Sequence, residues 1–203
     1  ASPEFKQYGQ QIVRNSRAEY NVAGIEIENC YFADVHDNVA THNTGGLLVF
    51  DLPNLPQQGG HSVRVFRNKS VDNDTVNFAP AGNIVGNVPT GTGLLIMANH
   101  NVEVFGNEFA NNGTVNVSIT SYLSQPGEKM DPKYYPYPEG IYLYGNKYGK
   151  GGYKPMGILG ELTKAASKRE TITDIVWDGR MNAELAKDGK LPADKWIYID
   201  EAA

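Results

Sequence analysis

Five charged residues in the middle of the chain carry side chains suited to acid–base chemistry: Arg64, Arg67, Lys69, His100 and Glu103. Arginine and lysine can neutralise a substrate carboxylate, and a histidine or carboxylate can then remove the neighbouring proton. The same residues are equally suited to ion pairs between neighbouring repeats on a solvated face, because surface charge pairs are common. The sequence leaves both interpretations open.

A second set of titratable residues lies in the polar stretch 33–44, ADVHDNVATHNT. Asp34, His36 and Asp37 could form a histidine base whose charged form is stabilised by carboxylates, or could hold a metal ion. If they hold a cation, Ca²⁺ is the ion we consider, and the sequence implies no other cofactor. The alternative is a solvated loop rich in turn-forming residues.

Tyrosines crowd the region that follows residue 133, among them Tyr134, Tyr135, Tyr137 and Tyr142. A tyrosine combines a flat apolar face with a hydroxyl group, and this combination suits stacking on sugar rings. It suits the packing of a loop onto the rest of the protein equally well. These four residues are therefore candidates for substrate binding, with a structural role as the alternative.

The elements that must position these residues come from an internal repeat. Val63, Val65 and Asn68 stand 39 residues before Val102, Val104 and Asn107. A shorter phrase, two apolar residues, any residue and then Asn, ends at Asn15, Asn68, Asn87, Asn107 and Asn146. Because Asn68, Asn87 and Asn107 are 19 and 20 residues apart, we interpret the 39-residue interval as two turns of one period. Alternating strands recur as GIEI, GLLV, TVNF, GLLI and TVNV.

Self-similarity at this interval, with short alternating strands and Gly or Asn corners, predicts a solenoid of β coils. Asparagine carries a donor and an acceptor, so residues stacked one coil apart can form a hydrogen-bonded ladder. We therefore assign the five asparagines a structural role. Asn68, Asn73, Asn112 and Asn116 begin N-x-S/T triplets, but they occupy repeat positions, so we interpret them as corner and strand residues.

On these phrases, residues 6–149 resemble the right-handed parallel β-helix proteins, the pectate-lyase-like group with alginate epimerases, phage depolymerases and NosD-type repeat proteins. The resemblance implies an all-β, single-stranded, right-handed parallel β-helix with about 20–22 residues per coil. It also implies a periplasmic or secreted protein that engages polysaccharide, as a lyase or epimerase on acidic glycans if it is an enzyme. The later phrase TDIVWDG, residues 173–179, resembles bacterial parallel β-helix domain proteins of unassigned function.

The alternative function is a non-enzymatic β-helix scaffold or assembly module, since one fold hosts many activities. Neither a DPH-type epimerase motif nor a lyase arginine and lysine set is present in the sequence. An enzyme should gather Arg64, Arg67 or Lys69 in a cleft with His100 or Glu103. A scaffold should spread them as a ladder of ion pairs.

Alternation also predicts an apolar patch outside the core. If Leu47, Val49, Leu94 and Ile96 point inward, then Leu48, Phe50, Leu95 and Met97 point outward together. Such a patch is seldom left in water. We expect the insertion 52–60, the C-terminal segment or a second molecule to cover it, and self-association is possible through this face or the N-terminal coil edge.

Composition, net charge and segment boundaries complete the sequence-based prediction. The chain has 203 residues, 40% of them hydrophobic, and a net charge of −5. It shows no basic stripe for nucleic acid and no apolar stretch long enough for a membrane helix. Residues 1–5 resemble a cloning scar, residues 6–149 form the coils, and residues 150–203 form a C-terminal cap with a short helix over 156–169.

Overall fold

The computed structural model describes residues 9–124, 127–158, 160–161, 165 and 170–201. Its strands are, in chain order, β1 (Gln11–Arg14), β2 (Arg17–Glu19), β3 (Ala23–Glu28), β4 (Ala33–His36), β5 (Val39–Thr41), β6 (Gly45–Phe50), β7 (His61–Phe66), β8 (Lys69–Val71), β9 (Thr92–Met97), β10 (His100–Phe105), β11 (Glu108–Ala110), β12 (Val115–Thr120), β13 (Glu139–Tyr144), β14 (Lys147–Tyr148), β15 (Ile175–Trp177) and β16 (Ile197–Asp200). Two 3-10 helices span Ile84–Asn87 and Ala193–Lys195.

The strands form three parallel sheets with a cyclic order. The first sheet is β1-β4-β7-β10-β13-β16, the second is β14-β11-β8-β5-β2, and the third is β15-β12-β9-β6-β3. The chain visits the first, second and third sheets in turn and then returns to the first. This arrangement is consistent with the predicted β-helix. Among the described residues, no helix is long and apolar enough to cross a membrane.

The core lies between the three sheets and follows the predicted alternation. Leu47, Val49, Leu94 and Ile96 are each at most 1% exposed and belong to one apolar cluster with inward residues of the other sheets. One circuit through the three sheets is called a rung here. Strand pairing places apolar side chains in register from one rung to the next, for example Val65 beside Val104. No rung can bury these side chains alone, so their burial couples each rung to its neighbours.

The predicted relation between the 39-residue interval and the coil is wrong. Val63 pairs directly with Val102, so this interval separates two neighbouring strands of the first sheet and is not two turns. The first step, from Gln11 to Ala33, is 22 residues. Later steps are longer because insertions 51–60, 72–91 and 121–138 leave the sheets at their corners.

Two of the predicted repeat phrases fall within these insertions. Asn87 ends the 3-10 helix in insertion 72–91 and is exposed. The phrase TVNF, residues 75–78, forms no strand, and Val76 and Phe78 are 73% and 63% exposed. A short sequence pattern is therefore not sufficient to define a rung.

Two asparagine ladders run along the corners of the sheets. In the first, the backbone N–H and the Nδ2 of Asn38 both donate to Oδ1 of Asn68. Asn68 donates in the same way to Asn107, and Asn107 donates to Asn146, with all distances between 2.9 and 3.0 Å. Ser16, and not Asn15, occupies the first position, because its backbone N–H donates to Asn38. The ladder ends on Glu201, whose carboxylate accepts both donors of Asn146.

The second ladder has the same direction and the same type of ending. It runs through Asn21, Asn43, Asn73, Asn112 and Asn116 to Oδ1 of Asp174. Glycine makes room for it: a Cβ on Gly93 would lie 2.6 Å from Nδ2 of Asn112. The structural role predicted for Asn73 and Asn112 agrees with this, since both are 0% exposed.

The C-terminal segment contributes the last rung of two sheets. Strands β15 and β16 belong to this segment and pair with β12 and β13. Within the helix predicted over 156–169, residues 157, 158, 160, 161 and 165 are helical and residue 156 is not, while residues 159, 162–164 and 166–169 lie outside the described residues.

The outward apolar patch is covered by the chain itself. Leu48 pairs with Leu95 and Phe50 with Met97, as alternation predicts. Leu48 and Phe50 are 0% and 2% exposed because Leu52 and two valines of insertion 72–91, Val85 and Val88, pack on them. Leu52 belongs to the expected cover 52–60, whereas insertion 72–91 was not among the expected covers, and together they leave Leu48 and Phe50 unavailable for self-association.

We predict that Asn107→Ala lowers the free energy of unfolding by about 3 kcal/mol or more, because it leaves two buried N–H donors of Asn68 without their acceptor and removes a hydrogen bond to the Val65 carbonyl. Asn87→Ala, at the phrase outside the ladder, should change it by less than about 0.5 kcal/mol. Urea denaturation compares the two, and equal effects would contradict the ladder assignment.

Leu48→Ala is expected to cost about 2–5 kcal/mol of unfolding free energy, as in other buried positions. Leu55→Ala, in an exposed part of insertion 51–60, is the matched control and should cost less than about 1 kcal/mol. Thermal unfolding of both variants measures the difference. A negligible effect at Leu48 would mean that insertion 72–91 does not cover the patch in solution.

Candidate functional site

The outer face of the first sheet carries the densest set of polar and aromatic side chains. Strand pairing sets Asp34, Arg64, Glu103 and Tyr142 side by side on successive rungs. This register makes Arg64 and Glu103, two residues of the predicted catalytic set, direct neighbours. Asp34 was predicted as a metal ligand, but strand pairing places it beside Arg64, a residue of the predicted catalytic set.

Arg64 is held by Asp34 in a two-point ion pair. Nε of Arg64 donates to Oδ1 of Asp34 at 2.7 Å, and Nη2 donates to Oδ2 at 2.6 Å. Nε2 of Gln10 donates to the same Oδ2 at 2.6 Å. The hydrogen bonds to Asp34 raise the pKa of Arg64 above its ordinary value. The guanidinium is thus charged, oriented and already paired.

A groove of about 400 Å³ lies over this pair and crosses four rungs. We call it the first-sheet groove, and its lining residues are Gln10, Phe32, Asp34, Ser62, Arg64, Asn101 and Glu103. Amide, hydroxyl, carboxylate and guanidinium groups together can donate to and accept from the hydroxyl groups of a ligand. Phe32 adds an aromatic side chain to this polar lining.

An aromatic column runs beside the groove. The rings of His36, Phe66, Phe105 and Tyr144 stack with centroid distances of 4.6, 4.9 and 5.0 Å and interplanar angles of at most 11°. Sequence analysis missed this column, although its signal was present: the phrases VFRN, VFGN and LYGN place an aromatic residue at the same position. The ring faces pack on one another, so the column adds contacts between successive rungs on the outside of the sheet.

The other predicted cations do not join the groove. Arg67 donates to Asp37 at 2.9 and 2.6 Å, and Lys69, in the second sheet, lies 3.1 Å from Glu108. The hydrogen bonds from Arg67 and then His36 hold the pKa of Asp37 well below its usual range. The cations of the predicted catalytic set are therefore distributed over three separate ion pairs.

His100 lies in a different cluster, near the start of β10. Its Nε2 donates to the carbonyl oxygen of Tyr137 at 3.1 Å, and its ring makes an edge contact with Tyr135, with centroids 5.3 Å apart. Burial lowers the pKa of His100 below its ordinary value of 6.5. His100, a predicted catalytic residue, therefore contacts Tyr135 and Tyr137, two predicted substrate-binding residues. His100 does not line the groove that contains Arg64.

Two members of this cluster were missed from the sequence. Glu139 is 3% exposed and pairs with His100 across the strands. Its carboxylate accepts from the Tyr135 hydroxyl and from Nζ of Lys195. Lys195 belongs to the C-terminal segment, 56 residues away, so no local pattern links the two.

The remaining predicted tyrosines have different roles. Tyr134 is 7% exposed and donates from its hydroxyl to the carbonyl of Asp51 at 2.7 Å, so it is a core residue and not a surface contact for a substrate. Tyr142 is 38% exposed and follows Glu103 along the same face of the sheet. It extends the surface that borders the first-sheet groove.

The contacts of Asp34, His36 and Asp37 leave the predicted cation site without geometric support. Asp34 is paired with Arg64, and His36 lies 2.6 Å from Asp37 through Nδ1. Within the described residues, no three His, Cys, Asp or Glu side chains are grouped to hold a metal ion. The Ca²⁺ site stays a prediction.

A second cavity, of about 450 Å³, lies where the insertions meet. Leu52, Pro53 and Ile84 form an apolar wall, and the Tyr122 hydroxyl donates to Glu128 at 2.7 Å. Burial, with this hydrogen bond, raises the pKa of Tyr122 to about 12. We call this cavity the insertion pocket.

Comparisons with known proteins add no assignment. No protein-family model matches the chain, and searches of curated proteins and of solved structures find no match either. A function must therefore be inferred from the side chains themselves.

The lowered pKa of His100 predicts how the stability of the fold changes with pH. Its pKa is lower in the folded state than in the unfolded chain, so below pH 6.5 the unfolded state binds more protons and stability falls as pH falls. Replacing His100 by Gln should flatten this decline between about pH 6.5 and 5, as measured by urea denaturation at each pH.

His42 provides a control of opposite sign. Its hydrogen bond with Asp74 raises its pKa, so it adds stability at acidic pH. His42→Gln should leave the decline as steep or make it steeper. A decline that His100→Gln does not change would show that the ring is solvated in the folded protein.

Proposed function

We propose that this protein is a polysaccharide-binding module that holds an extended glycan in the first-sheet groove. The observation that carries the proposal is the composition of the groove, in which Arg64, Asn101, Glu103 and Phe32 lie together across three rungs. Asn101 and Glu103 are exposed, so their amide and carboxylate are accessible to the hydroxyl groups of a sugar. A lining of this type recognises an oriented, hydroxyl-rich ligand.

The architecture supports an extended ligand. Parallel strands lie about 4.8 Å apart, so a polymer that follows the stack meets one polar or aromatic side chain per rung, at regular intervals. Tyr142, 38% exposed, continues the row of Arg64 and Glu103 towards the C-terminal rungs. We further propose that the stack is right-handed, since crossovers between parallel strands nearly always are, and that the protein acts outside the cytoplasm.

The geometry favours binding without catalysis. A lyase or epimerase needs a base and a cation at one substrate position. His100 donates to the Tyr137 carbonyl, and Arg64, Arg67 and Lys69 are paired with three different carboxylates. Arg64 and Glu103 do line one groove, as an enzyme would require, but the Arg64 guanidinium is already paired with Asp34, and Arg67 and Lys69 form separate ion pairs, as expected for a scaffold. Binding on such a scaffold combines both functions that the sequence suggested.

Affinity gel electrophoresis with neutral polymers (amylose, xylan and galactomannan) and uronate polymers (alginate and polygalacturonate) tests the proposal. We expect at least one polymer to retard the protein, and Glu103→Ala to weaken that interaction about tenfold or more, because a hydrogen bond to a charged group contributes about 1.5–3 kcal/mol.

Glu108→Ala is the matched control, since Glu108 is also partly exposed but lies in the second sheet beside Lys69. It should bind as the unaltered protein does. The proposal fails if no polymer retards the protein or if both variants lose binding equally. Release of an unsaturated, ultraviolet-absorbing product from a uronate polymer would show that the protein is a lyase instead.

A further inference from the structure

The ion pair beneath the first-sheet groove has a consequence for the class of glycan. Arg64 directs Nε and Nη2, one of the two edges by which a guanidinium can hold a carboxylate at two points, towards Asp34. Guanidinium groups bind carboxylates most strongly through such two-point contacts. One edge for the carboxylate of a uronate is therefore already occupied.

Asp34 is firmly fixed in this position. Its side chain is 11% exposed, whereas that of Arg64 is 50% exposed. Gln10 donates a further hydrogen bond to Oδ2 of Asp34 at 2.6 Å. Release of Asp34 would leave a largely buried carboxylate with fewer partners, which is unfavourable. An incoming uronate must therefore compete with a well-satisfied internal carboxylate.

The charges of the groove act in the same direction. Its lining contains one positive side chain, Arg64, and two negative ones, Asp34 and Glu103, which together give a net charge of −1. The whole chain also carries a net charge of −5. A polyanionic glycan is therefore repelled at long range and in the groove, whereas a neutral glycan is not.

We infer that Asp34 is a specificity-determining residue that makes the first-sheet groove select neutral glycans over uronate polymers. The inference rests on the proposed function and narrows its substrate class. Asp34 acts through Arg64: it neutralises the guanidinium and orients it, so that its remaining N–H groups serve as donors to sugar hydroxyls.

The chain offers a matched control for this inference. Asp37 holds Arg67 with the same two-point geometry, Nε to Oδ1 at 2.9 Å and Nη2 to Oδ2 at 2.6 Å. Neither Asp37 nor Arg67 lines the groove. Asp34→Asn and Asp37→Asn change the net charge equally and each release one guanidinium, but only the first release occurs in the groove.

The test measures binding of polygalacturonate and of the neutral polymers by affinity electrophoresis and isothermal titration calorimetry. The unaltered protein should bind a neutral polymer and bind polygalacturonate at least about tenfold more weakly. Asp34→Asn should raise the affinity for polygalacturonate about tenfold or more, the size expected for one charge-assisted contact. Asp37→Asn should leave it unchanged.

Arg64→Ala in the Asp34→Asn background should abolish the gain in affinity for polygalacturonate. This result would show that the gain comes from the released guanidinium. If Asp34→Asn does not fold, as judged by circular dichroism, Gln10→Ala supplies the test, because it removes a hydrogen bond that holds Asp34 beside Arg64 and leaves the net charge unchanged. This variant should also bind polygalacturonate more tightly than the unaltered protein.

The outcomes separate the inference from the proposed function. Equal binding of neutral and uronate polymers by the unaltered protein would overturn the inference and leave the binding function standing. An equal gain in Asp37→Asn would reduce the effect to net charge and would also overturn it. Binding of no polymer by any variant would overturn both.

Discussion

The asparagine ladders are the interaction on which the rest of the structure depends. In the first ladder, two donors of each asparagine converge on one oxygen of the next, so each rung has a single allowed register relative to its neighbour. A shift by one residue would place apolar side chains outside and leave buried amides without partners. The register in turn fixes which outward side chains become neighbours. The Asp34–Arg64 pair and the stacked rings are consequences of it.

The direction of the ladders explains how they end. Each asparagine donates towards the C-terminal rungs, so the final residue needs an acceptor and not another donor. Glu201 and Asp174 provide carboxylates at these two positions. Because ionised carboxylates accept but do not donate, they terminate the ladder without leaving an unpaired group. The C-terminal segment can thus complete the stack from sequence that shows none of the repeat.

The repeat allowed the strands, the inward alternation and most of the ladder to be predicted, because period-2 alternation and recurrent asparagine reflect local physics. The coil length could not be predicted in the same way. Insertions 72–91 and 121–138 are of similar length, so two successive steps of the first sheet are both 39 residues. The chance phrase at Asn87, inside the first of these insertions, then suggested a division that does not exist.

The same irregularity hid the candidate site. Asp34 pairs with Arg64 over a step of 30 residues, which differs from the 39-residue interval used to compare sequence phrases. The two residues therefore appeared in separate sets, one interpreted as a metal site and the other as catalytic. Glu139 and Lys195 were missed because their contact joins a rung to the C-terminal segment. Contacts within the repeat can be predicted from spacing, whereas contacts that cross an insertion depend on three-dimensional packing.

Chemical-shift mapping can test directly whether a glycan binds in the first-sheet groove. The protein, labelled with ¹⁵N, would be titrated with a soluble neutral oligosaccharide derived from the polymer that it binds best. Our account predicts shifts of the amides of Ser62, Asn101 and Glu103, with little change in the buried side-chain amides of Asn68 and Asn107. Shifts confined to Tyr122 and Glu128 would place the ligand in the insertion pocket, and they would contradict the first-sheet groove as the binding site.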